Sequence, residues 1–509
     1  MQQAPPARYA DWKAPADDGG HLLWPGPGEL LRDTHDNAKR LSTADATRVQ
    51  NVPLPELRLR LRTWLGHADE AGPLVATGHQ TELYHPGVWV KDVLIHLAAE
   101  RLGGQAYHVA VDTDEPKHLH LRWPGAGAAE PLTDDPPAAA SWSGLLDAPS
   151  PARIDALHRA VAAAAGQWHF EPLVPRFLAS MRRLALEEPN LAPALTNATH
   201  ELDWSLGLRH HALVFSPVCQ AEPYLAFVHH VMARAGAFAA DYNAALAAYR
   251  RLHRVRTPGR PMPDLNASDD HCEAPFWLDE LSTGHRFRAA VVRMGDRWAM
   301  RVPSGEDVFV FDPAADGWDA AGRLLAWLRR NDLRLAPRAL TLTMLLRLLV
   351  ADQFVHGIGG GRYDQVTDAL IARHFGLEPP RFAVTTATLQ FPGAVGRSRV
   401  CMACVMQDGH RLRHNVIGAA EKRRLVEAIA AAPRRSPQRS TLFFEMHGRL
   451  AAAARHPDIL RWERDRAAAE VREQEERVVF DRELFYAIQP EDRLAGMIET
   501  YRGALGATT

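Results

Sequence analysis

The stretch that decides the fold is PLVATGHQTELYHPGVWVKDVLIHLAAERLGGQAYHVAVDTDEP, residues 73–116. It begins with a short apolar run that ends in glycine, 73–78, which predicts a strand followed by a turn. Apolar residues at helical spacing then predict a helix from Val88 to Arg101, and a second apolar run predicts a strand from Tyr107 to Val111. A strand, a helix and a strand in this order indicate an α/β fold with a parallel sheet.

Outward from this stretch, the chain continues as alternating strands and helices. The run His211–Phe215 predicts another core strand, and Ala221–His253 predicts one long helix. Alternating apolar residues within 276–311 predict a small antiparallel β insertion. From Ala419 to Ile488 the composition is rich in Ala, Arg, Glu and Leu, which is typical of a helical hairpin.

The composition excludes several classes of protein. Of the 509 residues, 46% are apolar and 24% are charged, which is ordinary for a globular protein. Lys plus Arg (59) nearly balances Asp plus Glu (61), so no overall field favours DNA or an anionic membrane. The polar N-terminus lacks a signal peptide's apolar segment, no apolar run is long enough to cross a bilayer, and four cysteines are too few for a disulfide scaffold. We therefore expect a soluble cytoplasmic protein.

The first candidate site follows the first predicted strand, where a helix begins. His79 and His85 could transfer protons near neutral pH, and with Gly78 and Gln80 they could hold a phosphate or carboxylate at the helix start. Lys91 could neutralise charge there. The alternative is a tight turn in which both histidines bond to the backbone.

The second candidate site is acidic and follows the second predicted strand. Asp112, Asp114 and Glu115 place three carboxylates within four residues, and these repel one another unless a cation lies among them. That cation could be Mg²⁺, a substrate ammonium group or a basic side chain. An amine nucleophile or the ammonium group of an amino acid would be a natural partner for these carboxylates. The alternative is an exposed acidic loop.

The third candidate site is the glycine-rich segment HGIGGGRYD, 356–364, which precedes a predicted helix. Glycines allow the backbone to approach a ligand, and successive N–H groups can bind an anion. The segment matches neither the dinucleotide-binding fingerprint nor the Walker A pattern. Its candidate substrate- or nucleotide-binding residues are His356, Gly359, Gly360, Arg362, Tyr363 and Asp364.

The fourth candidate site contains cysteine and histidine. Cys401 and Cys404, with His410 and His414 downstream, are enough ligands for a tetrahedral zinc ion. The alternative is a pair of unligated thiols. Cys272 lies beside a histidine and a glutamate in the sequence and could in principle act as a nucleophile.

Four segments resemble the bacillithiol biosynthesis cysteine-adding enzyme family. TGHQTELYHPG (77–87) resembles that family's TGQQAGL-type motif, and VAVDTDEPKHLHL (109–121) resembles its strand with an acidic EDHDF-type segment. The stretch 333–368 is similar to its Pro-Asn-Val-Leu region and the Gly-Gly-Pro-Gly-Glu turn that follows. RELFYAIQPEDRLAGMIETY (482–501) resembles its C-terminal tail. The order and approximate spacing of the first three agree.

The resemblance implies a domain arrangement and an activity. It implies a Rossmann-like core over residues 1–410 that contains a connecting insertion at 256–315. A helical coiled-coil arm at 411–480 would mediate a homodimer, and 481–509 would return to the core. The activity implied is that of a ligase that adds cysteine to the free amine of a glucosamine-malate conjugate, with nucleotide binding suspected.

Three departures from the family pattern indicate a divergent member. His79 replaces a glutamine, Asp114 replaces a histidine, and Gly359–Arg362 replaces Gly-Pro-Gly-Glu with a base at the acidic position. Reversing the charge at a ligand-binding turn changes the ligand that fits there. We therefore expect a different amine acceptor.

The combined hypothesis is a carbon–nitrogen ligase that forms an amide between an amino acid, cysteine, and an amine-bearing small molecule. The carboxyl group must be activated, either by ATP, with Mg²⁺ as a possible companion, or by delivery on an aminoacyl-tRNA. Two alternatives stay open at this point. One is a nucleotidyltransferase-like enzyme, and the other is a non-catalytic protein that binds a nucleotide or metabolite.

Overall fold

The computed structural model describes residues 12–67, 72–124, 129–135, 142–257, 259–303, 305–394 and 396–506. Residues 1–11, part of the N-terminus in which no signal peptide is expected, lie outside these ranges. None of the described helices is both long and apolar enough to cross a membrane.

The strands, in chain order, are β1 (His21–Trp24), β2 (Arg48–Val49), β3 (Val52–Pro53), β4 (Leu74–Gln80), β5 (Gln105–Val111), β6 (His120–Leu121), β7 (Glu130–Pro131), β8 (His211–Val214), β9 (His271–Glu280), β10 (Arg286–Met294), β11 (Arg297–Arg301), β12 (Val308–Phe311), β13 (Leu333–Pro337), β14 (Gln353–His356) and β15 (Phe382–Ala387). The α-helices are α1 (Pro27–Ser42), α2 (Leu54–Trp64), α3 (Pro86–Leu102), α4 (Pro151–Ala165), α5 (Val174–Glu187), α6 (Leu191–Ser205), α7 (Glu222–Ala233), α8 (Ala235–His253), α9 (Gly317–Arg330), α10 (Ala339–Leu345), α11 (Ile358–Leu370), α12 (Met402–Arg411), α13 (Ala419–Ala431), α14 (Pro437–Ala453), α15 (Pro457–Val479) and α16 (Glu491–Gly506).

The main sheet is mixed, and most of it is parallel. Within the described residues its strand order is β1-β15-β14-β4-β5-β8. The strands from β15 to β8 are parallel to their neighbours, whereas β1 pairs with β15 in the antiparallel direction. The predicted strand–helix–strand unit is confirmed as β4, α3 and β5, with the two strands paired side by side.

Local sequence explains why α3 begins and ends where it does. His85 is the N-cap, and Pro86 occupies the first turn, where its missing N–H costs nothing. Gly103 ends the helix in the left-handed conformation, with a φ of 61°. Residues from Trp89 to Ala99 are buried on every face, because the helix packs between the sheet and α16.

The parallel strands bring distant loops to one edge of the sheet. The segments that follow β4, β5, β8, β14 and β15 all leave from the carboxyl ends of their strands. In open α/β sheets ligands bind outside this edge. It contains the first three predicted sites.

The predicted helix Ala221–His253 is divided into α7 and α8. Arg234 leaves the helical conformation, with a φ of −120° and a ψ of 29°. Its guanidinium donates hydrogen bonds to the side chain of Gln50 and to the carbonyl of Pro313, each at 3.2 Å. Tertiary hydrogen bonds at this residue therefore override the local helix propensity.

The antiparallel sheet has the strand order β12-β11-β10-β9-β13. It extends beyond the predicted bounds of 256–315 because β13 follows α9 and returns to pair with β9. It belongs to the same compact unit as the main sheet, which comprises Met1–Leu121, Ala129–Leu389 and Arg482–Thr509.

A second compact unit comprises Arg122–Ala128 and Gln390–Asp481 and contains α12 to α15. The longer of its two segments begins at Gln390, upstream of the predicted boundary at residue 411. The difference arises at α12, because this helix packs against α15 through Trp462, whose ring would meet a side chain at Gly409.

One buried histidine in the fold yields a prediction about stability. His229 is 1% exposed, packs edge-on against Phe309 and Phe311, and neither ring nitrogen has a hydrogen-bond partner among the described residues. Burial and the nearby charge of Arg323 lower the pKa of His229 to about 4. We expect His229→Leu to be at least as stable as the natural protein at neutral pH, because an unbonded polar group leaves the core.

The advantage of His229→Leu should grow in acid. Below the ordinary histidine pKa of about 6.5 the unfolded chain binds a proton at His229 that the folded chain does not bind, so falling pH costs the natural protein stability. Between about pH 7 and about pH 5 the difference in unfolding free energy should widen by roughly 1–2 kcal/mol. Urea unfolding of both proteins at both pH values measures this difference in unfolding free energy. A difference that is the same at about pH 7 and about pH 5 would contradict the prediction.

Candidate active site

The end of β4 carries the first predicted site. His79 and Gln80 are the last residues of the strand, which continues past the predicted turn at Gly78. His79 Nε2 lies 3.0 Å from Glu82 Oε1. The other oxygen of Glu82 accepts the backbone N–H groups of Lys117 at 2.7 Å and His118 at 3.1 Å. Glu82 thereby connects the loop after β4 to the segment after β5.

A second hydrogen bond joins the same two loops. Gln80 Nε2 donates to Asp114 Oδ2 at 3.0 Å, and Asp114 Oδ1 accepts the N–H of Glu115. Asp112 faces elsewhere: it is buried, and its Oδ1 accepts the N–H of Ser216 at 2.8 Å, which ties β5 to the end of β8. Burial raises the pKa of Asp112. Asp114 is half-buried and Glu115 is exposed, so Asp114 is the carboxylate best placed to meet a ligand beside His79.

His85 caps a helix and lies among positive charges. Its Nδ1 accepts the N–H of Gly87 at 3.0 Å, so one ring nitrogen is used by the start of α3, as in the backbone-bonded alternative. Burial and the nearby charge of Arg482, with smaller contributions from His79 and Lys91, lower the pKa of His85 to about 3. His85 is therefore neutral, and Arg482 and Lys91 make its surroundings electropositive.

Arg482 is a site residue that the sequence analysis did not single out. Its Nη2 donates to Thr386 Oγ1 at 3.1 Å and to the carbonyl of Ala387 at 3.0 Å, at the carboxyl end of β15. A Cβ added at Gly87 would lie 2.5 Å from the same nitrogen, so the guanidinium lies against the first turn of α3. Its Nε is buried and has no hydrogen-bond partner among the described residues.

Lys91 supplies the second charge. It is 3% exposed, and its Nζ donates to the carbonyl of Gly78 at 2.7 Å. Burial lowers the pKa of Lys91 to about 8. The ammonium thus lies beneath the end of β4 and close to the loop that carries His79.

The glycine-rich segment has a different arrangement from the predicted turn. Gly359 and Gly360 lie in the first turn of α11, are exposed, and follow Gly357, an N-cap with no side chain to cap the helix. Arg362 donates to the carbonyl of Trp12, and Tyr363 is exposed. The helix start can still accept an anion, but from helical N–H groups rather than from a loop.

Asp364 and His356 belong to a buried ionic cluster. Asp364 Oδ2 accepts Nη1 of Arg347 at 2.6 Å and lies 2.9 Å from His356 Nε2, while its Oδ1 accepts the hydroxyl of Thr343. Although burial opposes ionisation, Arg347 and His356 hold the pKa of Asp364 well below its usual range. The charges of Asp364 are satisfied inside the protein.

The loops after β4, β5 and β14, which carry the first three predicted sites, come together only in part. Because β14, β4 and β5 are neighbours, their following segments lie at one edge of the sheet, and hydrogen bonds link the loops after β4 and β5 directly. The cavity beside Gln80 is lined by none of the residues 356–364. The start of α11 is therefore not part of the wall of this cavity.

That cavity contains polar residues that the sequence analysis missed. It lies among the loop after β4, strand β5, helix α6 and strand β8, and its volume of about 10 Å³ is room for about one water molecule. His108 and Ala110 contribute from β5, and His200 and Asp203 from α6. Side chains would have to move before a larger group could enter.

Two histidine–carboxylate pairs surround the cavity. His108 Nδ1 lies 2.6 Å from Asp92 Oδ1, and His210 Nε2 lies 3.0 Å from Asp203 Oδ2. Asp203 Oδ1 also accepts Nε1 of Trp89 at 2.9 Å. Burial opposes protonation of His210, but the bond to Asp203 and the charge of Asp92 raise its pKa. A signal for this network was present in the sequence, because Asp92 and His108 interrupt apolar runs of α3 and β5.

The four predicted zinc ligands do not form a cluster in the part of the chain that the structure describes. Cys401 and Cys404 are joined in a disulfide, and a disulfide sulfur is not the thiolate that zinc binds. The rings of His410 and His414 lie 4.5 Å apart, but no cluster of three or more potential ligands is found in the described part of the chain. Nor do Asp112, Asp114 and Glu115 converge on one point.

Cys272 is not a nucleophile in this fold. It is fully buried within β9, and burial raises the pKa of its thiol to about 11. The neutral thiol is the poorly reactive form.

Comparison of the chain with protein-family models and with curated proteins gives no match.

Proposed function

We propose that this protein is a carbon–nitrogen ligase, a divergent relative of the bacillithiol biosynthesis cysteine-adding enzymes, which joins the carboxyl group of cysteine to the amine of a small molecule. The observation that supports this best is the juxtaposition of opposite charges at the carboxyl edge of the sheet. Arg482 and Lys91 lie around His85, and the carboxylates of Glu82 and Asp114 lie on the linked loops beside it. The run of parallel strands supports a Rossmann-like core.

This charge arrangement suits the reactants of amide formation. The reaction needs a carboxylate or acyl phosphate held on the cationic side and an amine brought up on the acidic side. Arg482 is suited to the anion because a guanidinium binds planar oxyanions with parallel hydrogen bonds. Asp114 is suited to the ammonium group because it is half-buried and faces the His79 loop.

His79 is proposed as the proton acceptor. Burial and the charge of Lys91 lower the pKa of His79 to about 4, so its ring is neutral at neutral pH. The ionised carboxylate of Glu82 only accepts hydrogen bonds, which places the ring proton on Nε2 and the lone pair on Nδ1. Nδ1 can take a proton from the attacking amine, and Glu82 then stabilises the imidazolium.

Activation of the carboxyl group is proposed to use ATP, with an aminoacyl-tRNA as the other possible donor. The first turn of α11 fits a phosphate group, because Gly359 and Gly360 are exposed there and no side chain caps the helix. ATP would supply the energy for the condensation by converting the carboxylate to an acyl phosphate or acyl adenylate. A homodimer through the helical arm stays a prediction.

A substitution at Asp114 tests the amine side of this proposal. We expect Asp114→Asn to lower the rate of cysteine incorporation about 10- to 100-fold at low amine concentration, because the charge that holds the ammonium is lost while the hydrogen bond from Gln80 can be kept. The control is Glu115→Gln, which removes the adjacent but exposed carboxylate and should change the rate less than about twofold. Incorporation of isotopically labelled cysteine, followed by mass spectrometry, measures both variants.

The same assay separates the alternative functions. Equal rates for Asp114→Asn and Glu115→Gln would remove Asp114 from the site. A nucleotidyltransferase would release pyrophosphate from ATP while cysteine stayed free. A non-catalytic binding protein would retain its ligand without turning it over.

A further inference from the structure

Cys401 and Cys404 form an exposed disulfide in the helical unit. Cys401 is the N-cap residue of α12 and Cys404 lies in the first turn of that helix, with their Cα atoms 5.1 Å apart. Both residues are exposed to solvent. The bond is therefore accessible to a small thiol without unfolding of the unit.

The two sulfur atoms have different surroundings. Cys401 Sγ accepts the backbone N–H of Cys404 at 3.1 Å, in the position of a helix N-cap. Backbone N–H groups and the positive end of a helix dipole stabilise a thiolate at this position. Cys401 is therefore the better leaving group of the pair, because a thiol of lower pKa leaves faster.

The other two cysteines provide a contrast within the same chain. Cys219 and Cys272 are buried, and burial raises the pKa of their thiols to about 12 and about 11. Neither presents a thiolate to solvent. At neutral pH, Cys401 and Cys404 are therefore the cysteines that can react with a thiol in solution.

We infer that the Cys401–Cys404 pair is a thiol–disulfide exchange site whose substrates are low-molecular-weight thiols of the class of free cysteine. The C-x2-C spacing, the formed bond, the exposure and the hydrogen bond to Cys401 Sγ together carry this inference. It is independent of amide formation and lies in a different part of the chain from the proposed active site.

The exchange balances as two displacements. A thiolate attacks Cys404 Sγ, the disulfide bond breaks, and the electron pair leaves on Cys401 as a thiolate that then takes up a proton. A second thiolate attacks the sulfur of the small thiol in the mixed disulfide and releases Cys404. The protein disulfide is reduced to two thiols, and two molecules of the small thiol are oxidised to one disulfide.

The test uses the full-length folded protein in buffers of graded cysteine and cystine, without ATP or amine. After acid quenching, alkylation and peptide mass spectrometry report the state of each cysteine. We expect Cys401 and Cys404 to change together and reversibly between disulfide and dithiol, with alkylation of the reduced pair at least about tenfold faster than that of Cys219 or Cys272.

Single variants test the order of the steps. Cys401→Ser and Cys404→Ser each lack the partner thiol, so each should accumulate one cysteine adduct at the remaining position, whereas the natural protein should not. The inference is overturned if the pair stays oxidised in excess cysteine until the protein is unfolded, or stays reduced in excess cystine. Since neither ATP nor an amine acceptor is present, no amide can form, and neither result bears on the proposed amide chemistry.

Discussion

We expect replacement of Arg482 by methionine to lower the rate of the proposed cysteine incorporation at least about 100-fold, equivalent to roughly 3 kcal/mol of transition-state stabilisation. Arg482 donates to Thr386 and Ala387 through one nitrogen, while its buried Nε has no partner among the described residues. We expect that remaining donor and the charge to hold the anionic oxygen of the substrate. Methionine keeps much of the side-chain volume of arginine but removes both the Nε donor and the positive charge.

Two further variants separate binding from folding at this position. Arg482→Lys keeps the positive charge but lacks the planar guanidinium group, so its rate should lie between those of Arg482→Met and the natural protein. Arg182→Ala removes an exposed arginine of the same unit that pairs with Asp155, and it should change the rate less than about twofold. Thermal unfolding of each variant shows whether the fold is retained. A folded Arg482→Met with the rate of the natural protein would contradict the role of Arg482.

We expect replacement of Arg347 by methionine to destabilise the fold by about 3–5 kcal/mol. Arg347 is 1% exposed and donates to Asp364 and Asp368 at 2.6 Å each, and it also donates to the carbonyl of Pro380. Without the guanidinium, Asp364 keeps a buried negative charge that His356 compensates only in part. Chemical denaturation measures the loss.

The controls for Arg347 distinguish a buried cluster from an ordinary ion pair. Arg330→Ala breaks the exposed pair with Asp307 and should cost less than about 1 kcal/mol. Adding Asp364→Asn to Arg347→Met should recover part of the stability, because the orphaned charge is removed with its partner. If Arg347→Met is as stable as Arg330→Ala, Asp364 is not held by this cluster, and its place as a candidate ligand reopens.

Local pattern was enough to predict the centre of the fold. The apolar runs of β4 and β5 and the helical spacing of α3 are properties of neighbouring residues, so periodicity located them. β14 was not predicted as a strand, because its sequence Gln353–His356 places polar residues at buried positions. The hydrogen-bond partners of those polar side chains are distant in the sequence, so a local sequence pattern does not reveal them.

The candidate site was predictable only where its residues are close in the sequence. His79, Gln80 and Asp114 follow adjacent parallel strands, and the sheet brings their loops into contact. Arg482 lies in the C-terminal segment and reaches the same edge through the tertiary fold. For Asp364 the local pattern is misleading. Its position in a glycine-rich segment predicts a ligand-binding residue, but the distant Arg347 already pairs with its charge.

The most direct test of amide formation at the Arg482–Asp114 edge follows isotopically labelled cysteine in a small-molecule and tRNA extract of the source cells, supplemented with ATP and the purified protein. We expect a labelled product that contains cysteine less one water, formed with the natural protein and strongly reduced with both Arg482→Met and Asp114→Asn. Labelled cysteine that stays free with the natural protein, or a product that forms equally with both variants, would contradict amide formation at this edge of the sheet.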